Sequence, residues 1–454
     1  MSAVATSSLG ATRDLPEARP VRRAALWLAC LGPFFYVTYG AANWLASLKA
    51  HVPALVYDWE RHVPFLDWTI LPYWSTNAFY AVSLFVCATR RELDTHGRRL
   101  LTAQIVAVSC FIAFPLRFSW PKPETSGLFG FLFEALGAFD KPFNQAPSLH
   151  VALTVILWSL YSRHLPRLAL PLFTAWSALV VASVMTTYQH HFLDIPTGAL
   201  LGLLCIWAWP DRGAPPLAQA KLTRDRDRRK LALCYGAGAS ILASSVLAGV
   251  GAAGADPAWL WALWPAFALA MVGLAYAAIG PTLFQKYADG HASLAARILT
   301  APYRLGAFLN SRLWTRRDAR PAPIADGVSL GRFPTGAELR HSGIRAVIDL
   351  TAEFAAPRFG GSWHCVAMLD LVAPPAQRLV ETAEAIERAR PNGPVLVCCA
   401  LGYGRSAAAV ATWLLRTRRS ATLEDAVSRL RAARPRLALS AAQMAAIEEA
   451  AREP

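Results

Sequence analysis

Eight apolar stretches in the first 280 residues constrain the fold more than any other feature of the sequence. A helix needs about 20 apolar residues to cross the hydrocarbon core of a bilayer, and shorter spans are tolerated where helices shield one another. The predicted spans are 24–48, 65–88, 100–116, 149–161, 168–187, 193–209, 231–250 and 257–279. The first part of the chain is therefore predicted to be an all-α polytopic membrane helix bundle.

The charge pattern supports this arrangement. Hydrophobic residues make up 55% of the 454-residue chain, and the formal charge of +15 is distributed in short clusters instead of one stripe, which argues against nucleic-acid binding. Arginine clusters within 13–23, 90–99, 163–167 and 212–230 fall on one side when the connections alternate. The positive-inside rule predicts that this side is cytoplasmic. Because residues 1–20 lack the apolar core of a signal peptide, we expect both termini in the cytoplasm of a bacterial cell and the spans in its inner membrane.

Three polar clusters lie near predicted span ends, where polar groups are costly and usually functional. Arg117 ends the third span, Ser148 and His150 open the fourth, and His190 and Asp194 lie between the fifth and sixth. In the predicted topology all three clusters reach the same outer face.

These clusters supply the groups that phosphate-ester chemistry needs. Asp194, four residues after His190, can orient that histidine as a nucleophile, and His150 can protonate the leaving oxygen. At these residues the sequence resembles the type-2 phosphatidic acid phosphatase superfamily over residues 65–209, particularly the branch that includes inositol phosphorylceramide synthases. The resemblance implies a phosphohistidine on His190, with Ser148 helping to hold phosphate.

Two departures from that superfamily concern phosphate binding. Leu149 replaces the glycine of the Pro-Ser-Gly-His motif, and Val184 stands where the third motif normally has an arginine after Ser183. The missing arginine favours a transferase-like or inactive site over one that releases free phosphate. We predict that Arg117 takes over phosphate binding.

The C-terminal third has the pattern of an α/β layer domain. Short β-like runs at 327–332, 344–350, 363–368 and 395–398 are separated by helical stretches such as 376–390. The predicted segments are a cytoplasmic N-terminal segment at 1–23, a membrane domain at 24–210, a basic loop with two further spans at 211–280, an interfacial linker at 281–320, and an α/β cysteine-phosphatase domain at 321–454.

The last predicted strand runs directly into a donor-rich loop. Cys399 is followed by Gly402, Gly404, Arg405 and Ser406, and then by a predicted helix at 407–417. Backbone N–H groups at such a helix N-terminus converge on an anion, the two glycines let the backbone curl, and an arginine can hold two phosphate oxygens. A thiolate at this position is a credible nucleophile.

A leaving alkoxide also needs a proton, and Asp370, just after a predicted strand, is the best-placed acid. Asp349 is the second candidate, although its position indicates a structural carboxylate at a strand end. This region resembles the dual-specificity branch of the protein tyrosine phosphatase superfamily. The resemblance implies a cysteinyl-phosphate on Cys399, phosphate binding by Arg405, acid and base roles for Asp370, and assistance by Ser406.

Three cysteines belong to this domain, and their spacing indicates neither a disulfide framework nor a zinc site. Cys398 occupies the place where the family commonly has a histidine, and whether Cys398 or Cys365 pairs with Cys399 under oxidation stays open. We expect no cofactor and no metal.

The substrate class follows from charge and architecture. Because no lysine lies between Cys399 and Arg405, a substrate with a single phosphate is favoured over a polyphosphoinositide. Because the phosphatase domain is joined to a membrane domain, a lipid headgroup phosphate is the favoured substrate. The order of the two domains along the chain resembles bacterial fusions of the two families. Two alternatives remain: a membrane-anchored protein phosphatase with a sensing membrane domain, and a lipid headgroup phosphotransferase coupled to a phosphatase.

Overall fold

A computed structural model describes residues 19–251 and 257–453 of the chain. The chain divides into two compact units, residues 1–213 and 214–454. Most of the N-terminal segment predicted at 1–23, including Arg13, lies outside the described residues, as do Asp256 and Pro454.

The described part of the first unit is helical. Its α-helices are α1 (Val21–Ser47), α2 (Ile70–Val86), α3 (Arg90–Ala113), α4 (Gly127–Phe139), α5 (Leu149–His164), α6 (Leu170–Thr186) and α7 (Asp194–Ala208). Six of them coincide with the six predicted spans. Helix α4 was not predicted, because its apolar run of 13 residues is too short to cross a bilayer.

Among the described residues, three segments are long and apolar enough to cross a membrane. These are Val21–Ser47, Arg226–Gly249 and Pro257–Phe284. The other predicted spans correspond to shorter helices or, in α3, to a helix that begins with a charged turn at Arg90. Thr89 caps that turn by accepting a hydrogen bond from the Glu92 backbone N–H at 3.2 Å.

The second unit begins with an apolar helix pair and continues into an α/β domain. Its α-helices are α8 (Arg226–Gly251), α9 (Leu263–Leu274), α10 (Leu294–Leu299), α11 (Ala301–Trp314), α12 (Gly336–Arg340), α13 (Ala376–Ala389), α14 (Arg405–Arg416), α15 (Leu423–Ala433) and α16 (Ala441–Arg452). A π-helical turn, Ala275–Ile279, extends α9.

Five strands form one sheet in the order β1-β2-β5-β3-β4. They are β1 (Ala322–Ala325), β2 (Val328–Arg332), β3 (Ala346–Thr351), β4 (Ser362–Met368) and β5 (Val395–Cys399). β1 pairs antiparallel with β2, and the remaining pairs are parallel. The four predicted strands are confirmed as β2 to β5, and the α/β fold class is confirmed with them.

Side-chain alternation along β5 sends residues to two different layers. Val395, Val397 and Cys399 join the apolar core that includes α13 and α14, whereas Leu396 and Cys398 face the opposite cluster. Helix α11 packs against that opposite cluster through Phe308 and its neighbours. The sheet is therefore covered on one face by the C-terminal helices and on the other partly by a helix from the predicted linker.

The predicted linker at 281–320 is integral to the packing of this domain. The Lys286 ammonium is fully buried and forms an ion pair with Asp349 of β3, and it donates to the Thr351 carbonyl at 2.8 Å. The Cys365 backbone N–H of β4 donates to the Ala288 carbonyl at 2.8 Å. Residues before 321 therefore complete the buried surface of the sheet.

Candidate active sites

Cys399 ends β5 at the start of a tight loop that leads into α14. Its sulfur accepts hydrogen bonds from the Gly402 backbone N–H and from the Ser406 hydroxyl, each at 3.2 Å. Only 2% of the residue is exposed. The structure thus shows the predicted strand, loop and helix, with hydrogen-bond donors directed at the sulfur.

Gly402 is required by the shape of this loop. Its φ of +77° lies in the left-handed region, and a Cβ there would stand 2.5 Å from the carbonyl carbon of Gly331. The loop therefore folds against β2 as closely as the backbone allows. Gly404 occupies the N-cap position of α14, directly before Arg405.

Arg405 is almost fully buried and is held by a carboxylate that the sequence did not identify as a site residue. Its Nη1 and Nη2 donate to the two oxygens of Glu353 at 3.1 Å and 2.7 Å, and Nη1 also donates to the Met368 carbonyl at 2.9 Å. Glu353 could have been suspected because a buried arginine needs an acid, and it follows β3 by two residues.

This bonding leaves one edge of the guanidinium for a ligand. An arginine has five N–H donors, and Glu353 and Met368 occupy both Nη1 protons and one Nη2 proton. The Nε atom forms no hydrogen bond within the described residues. The Nε and remaining Nη2 protons form the side-on fork that suits two phosphate oxygens.

Asp370 lies beside the same guanidinium. Its Oδ1 atom is 3.2 Å from Arg405 Nε, and 31% of its side chain is exposed. Burial of the carboxyl, with repulsion from Glu353, outweighs the attraction of Arg405 and raises the pKa of Asp370. Around Glu353, burial opposes the charge, but Arg405 holds the pKa of that carboxyl below its ordinary value. Such a difference between the pKa values of two neighbouring carboxyls is typical of an acid beside a carboxylate that pairs with a fixed cation.

Asp349 is fully occupied elsewhere. Besides its ion pair with Lys286, it accepts from the Thr351 backbone N–H at 2.8 Å and from the Trp363 indole at 3.2 Å. The carboxyl is fully buried, and these donors occupy both of its oxygens. This supports the sequence interpretation of Asp349 as a structural carboxylate.

The two other cysteines of the domain are buried and inert in this arrangement. Burial raises the pKa of Cys398 well above its ordinary value, and burial together with the charge of Asp349 raises the pKa of Cys365 to about 12. Both thiols therefore stay protonated at neutral pH.

Residues from before the α/β domain hold each loop of this site. The Arg304 guanidinium donates to the Glu353 carbonyl at 2.6 Å, and the Ser311 hydroxyl donates to the Ala400 carbonyl at 2.6 Å. The Tyr276 hydroxyl donates to the Asp370 carbonyl at 2.9 Å. Tyr276 belongs to the apolar segment Pro257–Phe284.

In the first unit, the N-termini of α5 and α7 bring the second predicted constellation together. His190 Nδ1 lies 3.2 Å from an Asp194 carboxylate oxygen, and both residues are buried. The Ser148 backbone N–H donates to the Asp194 carbonyl at 3.0 Å. A Cβ on Gly198 would stand 2.4 Å from the Ser148 carbonyl oxygen, so this glycine allows α7 to approach α5.

His150 lies in the first turn of α5, two residues after Ser148. Its ring stacks on Tyr73 with centroids 3.9 Å apart. The Tyr73 hydroxyl in turn donates to Asp140 at 3.4 Å, and the Tyr39 hydroxyl donates to the same carboxyl at 2.8 Å. Asp140 was not predicted, because nothing in its sequence context distinguishes it from a loop carboxylate.

Ser148 and Val184 have roles that the backbone explains. The Ser148 hydroxyl accepts from the Val151 backbone N–H at 3.4 Å and so caps α5. Val184 is fully buried in an apolar cluster with Ile70, and its carbonyl accepts from the His190 backbone N–H at 2.9 Å. An arginine side chain at position 184 would have to enter this apolar cluster.

Arg117 and His191 occupy different positions around this site. Arg117 is exposed, and its guanidinium donates to the neighbouring Phe118 carbonyl at 3.5 Å. His191 is buried, with Nδ1 3.0 Å from Glu60 and Nε2 3.2 Å from the Ser119 backbone nitrogen. Because a backbone N–H can only donate, Nε2 is the acceptor and Nδ1 carries the proton toward Glu60.

Within residues 19–251 and 257–453, no group of three or more histidine, cysteine, aspartate or glutamate side chains is arranged to hold a metal ion.

Comparison with known proteins gives two family matches. Residues 330–453 match the family described as dual specificity phosphatase, catalytic domain, and residues 96–212 match the PAP2 superfamily. No curated protein matches the chain.

Solved structures resemble about 30% of the chain. PTPMT1 is 19% identical, with 29% of this chain and 94% of that chain covered, at a TM-score of 0.27. Tk-PTP in its active form is 26% identical, with 30% and 97% covered, at a TM-score of 0.28. Human DUSP28 is 23% identical, with 29% and 94% covered, at a TM-score of 0.27.

Proposed function

We propose that this chain removes a phosphate from the headgroup of a membrane lipid. The premise is that the chain joins a PAP2 superfamily domain at residues 96–212 to a dual specificity phosphatase catalytic domain at residues 330–453. The C-terminal domain makes the chain a cysteine-dependent phosphatase that hydrolyses phosphomonoesters. The observation that supports a lipid substrate is the hydrogen bond from Tyr276, on an apolar helix, to the backbone of Asp370.

The first half of the proposed reaction forms a cysteinyl-phosphate. The Cys399 thiolate attacks phosphorus while the side-on fork of Arg405 and the loop N–H groups bind the phosphate oxygens. The bond from phosphorus to the ester oxygen breaks, and Asp370 gives its proton to that oxygen. The alcohol part of the lipid leaves, and Asp370 remains as a carboxylate.

The second half returns the enzyme to its starting state. The Asp370 carboxylate takes a proton from water, whose oxygen attacks phosphorus as the sulfur–phosphorus bond breaks. Inorganic phosphate leaves, and Cys399 is again a thiolate. The Ser406 hydroxyl, 3.2 Å from the sulfur, stabilises the charge that returns to it.

The membrane domain is proposed to carry a second phosphate-ester site. Asp194 holds His190 through Nδ1, so Nε2 of that histidine is the atom available to attack phosphorus, with His150 as the acid. The buried Val184 in place of an arginine favours transfer of a phosphoryl-alcohol group between lipids over release of free phosphate. Ser148 and Arg117 stay predictions as phosphate-binding residues.

The proposed location is the bacterial inner membrane, with both termini cytoplasmic. The support is the asymmetry of the arginine clusters together with the three apolar segments. A reporter fused after Pro454 is expected to be cytoplasmic, and tags near Lys122 and Asp256 external. An external C-terminus would contradict this topology.

The substrate is tested with the purified full-length protein and a panel of phosphomonoesters. The panel contains phosphatidylglycerol phosphate, phosphatidylinositol monophosphate and phosphatidic acid in vesicles, along with tyrosine- and serine-phosphorylated peptides. We expect phosphate release from one or more lipids, and its loss in Cys399→Ser. Hydrolysis of the peptides alone would support instead a membrane-anchored protein phosphatase.

A further inference from the structure

A cavity of about 380 Å³ adjoins the phosphatase site, and its walls come from two chemically different parts of the second unit. One wall contains Glu353, Asp370 and Ala400, the residue after the nucleophile. Another part of the lining contains Tyr235 of α8 and Leu269 of α9. The cavity therefore joins the phosphate-handling groups to helices that are apolar enough to lie in a membrane.

Helix α11 supplies a third side of the cavity through Tyr303 and Gly306. Gly306 faces open space, because a Cβ added to it would meet no atom within 4 Å. Leu371, directly after Asp370, also lines the cavity, is 65% exposed and has a φ of +60°. This backbone conformation is unfavourable for leucine and turns an apolar side chain outward beside the acid.

We propose that this cavity binds the glycerol backbone and first acyl methylenes of a membrane lipid, with its headgroup phosphate at Cys399. The inference rests on the proposed lipid phosphatase function and specifies how that substrate enters. A phosphorylated lipid has a phosphomonoester at one end and an apolar body at the other, which matches the two walls of the cavity. The substrate enters along α9 and α11 from the side of the apolar helices.

The lining of the cavity fits a lipid better than a phosphopeptide. A peptide bound in an extended form brings backbone N–H and C=O groups that need hydrogen-bond partners. Pro265 and Pro302 line the cavity and have no backbone N–H to offer. The methylene groups of a lipid need no such partners and gain from contact with the tyrosine and leucine side chains.

The test fills the cavity without touching the catalytic residues. Gly306→Leu places a side chain in the open space, and the matched control Gly236→Leu makes the same change on α8, where a Cβ also meets nothing within 4 Å and which does not line the cavity. Full-length proteins are assayed on phosphatidylglycerol phosphate in phosphatidylcholine vesicles and on para-nitrophenyl phosphate. We expect Gly306→Leu to lower the ratio of the two kcat/KM values at least about tenfold, and Gly236→Leu to leave the ratio unchanged.

The outcomes separate this proposal from the function on which it rests. If the wild type hydrolyses the lipid and Gly306→Leu keeps the same ratio, the cavity is not the lipid site, and the proposed function stands. If the wild type hydrolyses only para-nitrophenyl phosphate or phosphopeptides, the proposed function itself fails. Leu269→Trp obstructs the part of the lining that α9 supplies and gives a second measurement if Gly306→Leu does not fold, a condition shown by loss of both activities.

Discussion

Glu353 accepts both end-on N–H groups of Arg405, at 2.7 Å and 3.1 Å, and so fixes the plane of a guanidinium whose other edge lies beside Asp370 and is proposed to bind phosphate. Both side chains are almost completely buried, at 1% exposure for Arg405 and 4% for Glu353. A lone arginine in this position would be a buried unpaired charge, which is strongly destabilising. The pair therefore serves both the fold and the orientation of the phosphate-binding edge.

Glu353→Gln tests this relationship. The glutamine keeps the shape but loses the charge and one acceptor, so Arg405 is no longer held in one plane. We expect kcat/KM for para-nitrophenyl phosphate to fall about 100-fold, the usual cost of misplacing a binding group by about 1 Å. The matched control Glu381→Gln, in an exposed pair with Arg378, is expected to behave as the wild type. Equal activity of the two variants would contradict the positioning role.

Cys399→Ser replaces the proposed sulfur nucleophile with a hydroxyl, which is a far weaker nucleophile at neutral pH. Hydrolysis of para-nitrophenyl phosphate, measured with metal ions chelated, should fall to background. Cys398→Ser is the matched control, because that thiol is buried on the other face of the sheet and should leave most of the activity. Full activity in Cys399→Ser would rule out the cysteine mechanism.

Arg405→Lys keeps the positive charge but cannot form two bidentate pairs of hydrogen bonds. A lysine ammonium can pair with the Glu353 carboxylate or bind the substrate phosphate, but it cannot do both in the geometry of the guanidinium. We expect a loss of activity at least as large as that of Glu353→Gln, together with a raised KM. An Arg405→Lys enzyme with an unchanged KM would show that the guanidinium does not bind the substrate.

Asp370→Asn removes the proposed acid. Because the pKa of Asp370 is raised, its protonated form persists to a higher pH than in a free aspartate, and the rate should fall as pH rises through that pKa. Asparagine cannot give up a proton in this way. We expect turnover to drop by about 10² to 10⁴ and the alkaline limb of the kcat profile to flatten. If the alkaline limb is unchanged in Asp370→Asn, the titration that causes it belongs to another group.

His190→Ala and His191→Ala separate chemistry from structure in the membrane domain. His190 is paired with Asp194, so its loss should abolish the lipid-phosphate activity of the membrane domain; the protein should still fold, because Asp194 keeps the His191 backbone N–H as a donor at 3.0 Å. His191 joins Glu60 to Ser119, so its loss breaks that link, leaves the buried Glu60 carboxylate with two backbone N–H donors, and should destabilise the domain by about 2 kcal/mol. The measurements are phosphate release and the melting temperature in detergent. The assignment is reversed if His191 proves essential for activity while His190 affects only stability.

The sequence by itself determined the phosphatase class and the order of the two domains that the family matches show. Loop residues such as Cys399, Gly402 and Arg405 are contiguous, so the local rules for strands, glycine turns and helix N-termini were enough to predict their arrangement. The apolar runs similarly predicted helices at all eight spans, because each helix depends on composition within one segment. The pairing of His190 with Asp194 was predicted from their separation of four positions, and the structure forms it between the loop before α7 and the first residue of α7.

Only the tertiary structure identified the partners that are distant along the chain. Glu353 is 52 positions from Arg405, and Tyr276 is 94 positions from Asp370, so no local pattern connects either pair. Lys286 belongs to a segment that resembles a linker, and its burial against Asp349, 63 positions later in the chain, depends on strand β3, an interior strand of the sheet. These contacts exist because a buried charge or a buried backbone polar group needs a hydrogen-bond or ion-pair partner. The packing of the whole chain decides which residue is close enough to be that partner.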